Sequence, residues 1–404
     1  TMTCSSSSRI ATRMAHATSW HRPPLWLAAA AVAAGWGAAY TVARWTLSFV
    51  LFPVHEDVRI FYVAAEAGVR HGWSTIYDLG LARTLSAAFP AGERHIDSWA
   101  AFSNPPLLAW LFVPLTVVPE PVAYGVWTLI SFGALLWTWY LVAPYSGLAK
   151  TTLLLLALAL WPVLASFYFG QPAMVLLALV ATAWWLCAHD RPLTAGFALA
   201  LATFLKPHLV VLIPLALLAS ARYRPFVGWV AACAVLGVVT ILALGPAGLI
   251  SWWHVLSYLE GDVSNRYYTL AGPLGLGPLT YCLWAAQGGA SLLIAWRRRS
   301  ELDIVFAAGV LGSLAMAFYL HQADYSNLLL AAWFVLRTAP PIWHRLWLLA
   351  GVVTMQALTV VSPAPQLMWD AAWLAILLVS SFAGSGASAL ATRSAVASAG
   401  RADT

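Results

Sequence analysis

LWLAAAAVAAGWGAAYTVARWTLSFVLFPVHEDVRIFY, residues 25–62, decides how the rest of the chain is read. Its first two thirds, to Val50, form a long hydrophobic run rich in Leu, Ala, Val and Trp. As a helix this run is long enough to cross a hydrocarbon core of roughly 30 Å. Strands of a membrane barrel would instead alternate apolar and polar residues with period two, so the helical reading prevails. Arg9, Arg13 and Arg22 precede the run, which sets its start in the cytoplasm and its end outside. It lacks a convincing cleavage site, and the expectation is a retained anchor rather than a removed signal peptide. Directly after it come His55, Glu56, Asp57 and Arg59. An acidic pair at the mouth of a membrane helix is costly unless it faces water or a partner, which makes Asp57 the expected chemical centre. The blander alternative is a solvated loop that ends a helix.

Composition supports the same class. Of 404 residues, 61% are hydrophobic and 9% charged, with a mean hydropathy of +0.78, and a soluble domain would expose too much apolar surface at such values. The chain reads as an all-α polytopic membrane protein. The net charge of +6 sits in short basic clusters between apolar runs, as in cytoplasmic loops, so no nucleic-acid partner is implied. Cys4, Cys187, Cys233 and Cys282 lack the close spacing of a zinc site or a disulfide framework. No metal and no cofactor is expected.

Residues 1–24 read as a cytoplasmic N-terminal tail. The longest polar segment follows the first span, from Phe52 to Asn104, and holds amphipathic pieces at 59–70 and 79–89 suited to the membrane surface. The apolar part of 102–121 is only about fourteen residues and is bounded by prolines, which fits a re-entrant or surface helix better than a crossing. The first outer loop is therefore drawn as 52–121. Later spans are expected near 122–143, 150–166, 171–188, 193–206, 208–220, 225–246, 274–296, 303–320, 326–338, 342–361 and 367–383. With this choice Lys150, Arg191, Arg222, Arg224, Arg297, Arg298, Arg299, Arg337 and Arg345 all face the cytoplasm, and the count is about twelve transmembrane helices with both ends inside. The domain so defined runs from 25 to 383, and the Ala-, Ser- and Gly-rich 384–404 is expected to be a disordered tail.

This topology gathers polar clusters on the outer face: His55–Asp57, YFGQ at 168–171, LKPH at 205–208, LHQADYS at 320–326, and the loop from about 245 to 272 with Arg266 and Tyr268. Lys206 follows an apolar helix and precedes Pro207, a place where an opened helix end lets a cation meet a phosphate. With no acid near it in sequence, its rival role is snorkelling to the interface. Arg266 is a second candidate cation, and His208 is either a third phosphate contact or a core histidine. Gln171 either bonds sugar hydroxyls or satisfies freed backbone. Asp324 either contacts substrate or caps the next helix, whereas His321 follows a purely apolar run and is harder to explain as a cap.

The order of motifs resembles that of membrane glycosyltransferases of the GT-C architecture, most closely glycosyltransferase family 87. They are HEDVRIFYVAAEAG at 55–68, GWSTIYD at 72–78, SNPPLLAWLFVPL at 103–115, FGQPAMVLLAL at 169–179, AGFALALATFLKPHLVVLIPL at 195–215 and HQADYSNLLL at 321–330. The resemblance implies a GT-C helical bundle with amphipathic outer-face loop helices and inverting transfer of a sugar, mannose in the family, from a polyprenyl-phosphate donor. It implies that Asp57 and His321 are catalytic, with Glu56 beside Asp57 leaving the choice of base open and Asp324 resembling a position that varies in the family; the reading of the residues above adds Lys206, Arg266 and His208 at the donor phosphate. Glu56, Gln171, Asp324, Asn104 and Tyr268 are then expected around the sugar or the acceptor, a glycolipid or glycan. Partners are the lipid bilayer and these two substrates, in a bacterial cytoplasmic membrane with the site outside. Proton removal from an acceptor hydroxyl by a carboxylate suits such a transfer. A transporter or lipid flippase would also hold ionisable groups in a bundle, but the chain lacks a visible two-fold repeat.

Overall fold

The computed structural model describes residues 23–51, 56–89, 101–260, 263–358 and 362–399, with the side chains of 56, 263, 264 and 383–399 left aside. His55, Cys4 and the N-terminal arginines lie outside the described residues, as does the side chain of Glu56. Every regular element among the described residues is helical.

The first unit is α1 (Leu25–Leu51), α2 (Glu56–His71), a 3-10 turn at Trp73–Thr75, α3 (Leu79–Ser86) and α4 (Pro106–Phe112), which a 3-10 turn extends over Val113–Val117. Asp78 starts α3 by accepting the Gly80 and Leu81 N–H groups at 2.8 and 3.0 Å, as a side-chain N-cap should. Apolar Val58, Phe61 and Ala65 recur on one face of α2 and are buried, the spacing of an amphipathic helix. Phe61 meets Phe112 edge-on at 5.3 Å. Pro105 opens the proline-bounded segment and α4 spans seven residues, so it is a short element packed under α2.

The bundle continues with α5 (Glu120–Val142), α6 (Gly147–Ala159), α7 (Trp161–Phe169), α8 (Ala173–Ala188), α9 (Pro192–Leu205), α10 (Leu212–Ala219) and α11 (Tyr223–Glu260). It ends with α12 (Ala271–Leu274), α13 (Pro278–Arg297), α14 (Leu302–Ala315), α15 (Asn327–Arg337), α16 (Ile342–Ala357) and α17 (Ala364–Ala399). Each apolar run predicted from sequence forms one of these helices, with two differences. The run at 150–166 is two helices bent by 58°, because Leu160 is extended and Pro162 stands at the start of α7. The run at 225–246 ends as expected where Gly245 takes φ 60° and ψ −178° ahead of Pro246, but a second helical stretch follows at once and carries α11 on to Glu260. Part of the expected outer loop is thus helical, and Trp252 on it stacks on Tyr77 at 5.3 Å. The backbone of α17 runs on to Ala399.

Among the described residues, four helices (α1, α5, α11 and α17) are long and apolar enough to cross a membrane, and the bent pair α6–α7 makes a fifth if counted as one span. This is an integral membrane protein by composition. Shorter apolar helices fill the centre, and α14 is the clearest case: Ile304 to Leu314 are all buried, so its neighbours are other helices rather than lipid. Three of the cations expected on one face have partners. Arg298 pairs with Glu301 through two 2.7 Å contacts, Arg337 lies 3.3 Å from Asp303, and Arg222 donates to the Arg299 carbonyl at 3.1 Å.

Candidate active site

Asp57 lies in the first turn of α2, half-buried. A helix N-terminus favours a carboxylate there, because its N–H groups point outward without helical partners. Gln171 donates a hydrogen bond from Nε2 to Asp57 Oδ2. The turn that presents Gln171 ends α7 at Gly170, which has φ +73°. A Cβ at Gly170 would also overlap the Val58 side chain, itself fully buried beside Asp57. Trp127 Nε1 donates to the Gly170 carbonyl at 2.8 Å, and the Gln171 N–H closes the turn onto Ser166 O at 2.9 Å. Gln171 thus touches the expected base while its buried Oε1 has no partner among the described residues.

Gly170→Ala is expected to be poorly tolerated. The left-handed backbone costs a side chain about 1–2 kcal/mol, and forcing Val58 aside costs about 1–3 kcal/mol more. Thermal denaturation in detergent should show a clear loss of stability, and the Asp57 bond should loosen with it; an unchanged melting temperature would contradict this account of the turn.

A second cluster surrounds Lys206. Pro207 disfavours helical backbone at the residue before it, so α9 stops and Lys206 takes φ −146° and ψ 89°. Its side chain, 4% exposed, donates from Nζ to Asp324 Oδ1 at 2.6 Å. Asp324 Oδ2 accepts the His321 backbone N–H at 2.9 Å. Lys206, which has no acid near it in sequence, thus has one in space. Asp324 is 0% exposed with both oxygens engaged in this structure: it bridges the end of α9 to the 321–326 turn and serves as that turn's cap, the second of the two roles read from sequence.

The His321 ring bonds the Tyr319 hydroxyl. Burial pushes His321 below the usual histidine range, against the pull of Asp324 and with Lys206 adding to the fall. A neutral imidazole is thus favoured, which weighs against His321 as a standing cation. For Asp324, burial acts upward, but Lys206, His208, His321 and the backbone bond outweigh it and its carboxyl lies below the ordinary range. His208 packs edge-on to Tyr319 at 5.6 Å, and its Nε2 has no hydrogen-bond partner among the described residues.

The other predicted residues hold the frame. Asn104 donates to the Leu205 carbonyl at 3.3 Å, and its own carbonyl accepts the Tyr77 hydroxyl at 2.7 Å, so it fastens the first loop to the end of α9 beside Lys206. The Tyr268 hydroxyl accepts from Gln322 Nε2, and the Tyr268 carbonyl accepts the Tyr325 hydroxyl at 2.7 Å. Arg266 is partly exposed, and its side chain makes no ion pair or hydrogen bond among the described residues. Gln322 and Tyr319 belong to the cluster but were not singled out from sequence; Gln322 lies in the HQADY motif, next to His321.

A half-buried carboxylate at a helix start, a buried lysine at an opened helix end and a bundle of apolar helices define a membrane protein with a built polar site. A family model for glycosyltransferase family 87 matches residues 102–320. The chain belongs to glycosyltransferase family 87 and is a membrane glycosyltransferase. The matched span includes Asn104, Gln171, Lys206, His208, Arg266 and Tyr268, and leaves Glu56, Asp57, His321 and Asp324 outside it. No curated protein and no solved structure matches the chain.

Proposed function

We propose that the enzyme moves a sugar, mannose by the family resemblance, from a polyprenyl-phosphate donor to a hydroxyl of a glycolipid or glycan, with inversion and with Asp57 as general base. The observation that carries this reading is the Asp57 carboxylate, half-buried at a helix start and held by the Gln171 amide. In the reaction the acceptor hydroxyl gives its proton to Asp57 as its oxygen bonds to the anomeric carbon. The bond from that carbon to phosphate oxygen breaks on the opposite face, and its electron pair leaves with the polyprenyl phosphate. Charge developing on that leaving group favours cations already in place. Lys206 has ammonium hydrogens beyond the one that Asp324 accepts, and Arg266 is uncommitted, so these two are assigned to the phosphate. His208 lines the same cluster, and His321 contributes its imidazole to the reacting groups. Gln171 Oε1, buried without a partner, is assigned to a sugar or acceptor hydroxyl, and Glu56 to the rim beside Asp57.

About twelve crossings with both ends in the cytoplasm place α2 and the 321–326 turn on the outer face of a bacterial cytoplasmic membrane. That arrangement lets a prenyl chain enter sideways from the bilayer. The stereochemistry tests the proposal. Product formed from a donor of known anomeric configuration should carry the opposite configuration by NMR, because attack comes from the face away from phosphate. Retention would exclude the single displacement and with it the role given to Asp57.

A further inference from the structure

The break between α6 and α7 is bridged by one side chain from far along the sequence. Extended Leu160 and the proline at 162 end one helix and begin another, so backbone groups on both sides lose their helical partners. Within a membrane such groups must be satisfied by protein. Gln356, near the end of α16, does this on both sides. Its Oε1 accepts the Trp161 N–H at 2.7 Å, and its Nε2 donates to the Ala159 carbonyl at 2.8 Å.

The same helix end also reaches the site. The Trp161 indole donates to Gln322 Oε1 at 2.8 Å, and Gln322 Nε2 donates to the Leu358 carbonyl at 3.0 Å as well as meeting the Tyr268 hydroxyl. At its other end α7 carries the Gly170 turn and the Gln171 bond to Asp57. α7 is therefore a short rod with the His321 turn at one end and the proposed base at the other. Gln322, Gln356 and Leu358 all lie past the span that the family model covers.

We infer that Gln356 is a positioning residue: by bridging the α6–α7 break it sets the angle of α7, and through α7 it aligns Gln171 and Asp57 with the 321–326 turn. The inference rests on the chemistry proposed for Asp57, but its first test does not. Full-length protein in lipid nanodiscs is compared by hydrogen–deuterium exchange as wild type, Gln356→Leu and Gln356→Glu. Loss of one or two hydrogen bonds should speed exchange over 161–171 by about tenfold in Gln356→Leu. Gln356→Glu, which keeps the acceptor for Trp161 N–H, should fall between Gln356→Leu and wild type. Exchange elsewhere should stay as in wild type. Unchanged exchange over 161–171, or a rise spread over the whole bundle, would overturn the inference.

Transfer kinetics supply the second reading. Gln356→Leu should lower kcat by about tenfold and leave the donor KM within about twofold, the pattern of a misaligned reacting group. Combined with Gln322→Leu it should fall no further than the worse single variant, because both act through Trp161. Multiplying losses, or full activity in Gln356→Leu, would overturn the role in alignment. A wild type that transfers no sugar would count against the proposed function alone, and the exchange result would still decide the brace.

Discussion

Asp57→Asn is expected to lower transfer by about 10²–10⁴-fold, the usual contribution of a general base, without unfolding the protein. The asparagine has nearly the same shape and can still accept the Gln171 amide through its oxygen, so the turn at Gly170 and the packing of Val58 should persist. What disappears is the ability to take a proton. The donor KM should change little, because the carboxylate is assigned to the acceptor hydroxyl rather than to the lipid phosphate. The loss should therefore fall on kcat, measured with purified protein beside a melting curve showing that the variant is folded. Asp57→Ala should be as inactive and should free Gln171 as well. An Asp57→Asn protein that turns over at the wild-type rate would remove Asp57 from the chemistry and leave the base to be sought elsewhere.

The second large effect concerns stability. Lys206 and Asp324 are both buried, with side chains 5% and 0% exposed, and removing one member of such a pair leaves the other charge without compensation. Lys206→Met or Asp324→Leu alone is expected to cost about 3–5 kcal/mol. The double variant should recover much of that loss, because apolar side chains of similar size can replace a buried ion pair with little net penalty. Asp324 also holds the His321 N–H at 2.9 Å, so part of the single-site cost is the loosening of the 321–326 turn. The double variant should be folded yet nearly inactive, since it lacks the proposed phosphate cation and the anchor for His321. Melting temperatures of the two single variants and the double would check this. Additive destabilisation in the double variant would mean that the two residues do not act as a pair.

The helices were legible in the sequence because continuous apolar runs and prolines mark them without tertiary information. The bend at Leu160 carried a signal in Pro162, and the one at 245 carried one in the adjacent Gly245 and Pro246. Asp57 and Gln171 were each singled out, but not their bond, since 114 residues separate them. The same holds for Lys206 and Asp324, 118 residues apart, a partner that no search close in sequence finds. Asn104 stood out only as part of the SNPPLLAWLFVPL motif, whereas its use as a tie to Leu205 depends on where α9 ends. Gln356 gave no signal. It sits in an apolar run like any interfacial glutamine, and its two bonds exist only because a break elsewhere frees the groups it meets.

The most direct test of the account is sugar transfer by purified wild-type protein in liposomes. Radiolabelled polyprenyl-phosphate-mannose would be compared with a nucleotide-activated form of the same sugar, each with a membrane lipid extract as acceptor. The account predicts that label passes to the acceptor from the lipid phosphate and not from the nucleotide. Transfer from the nucleotide, or no consumption of the lipid-phosphate sugar, would contradict it.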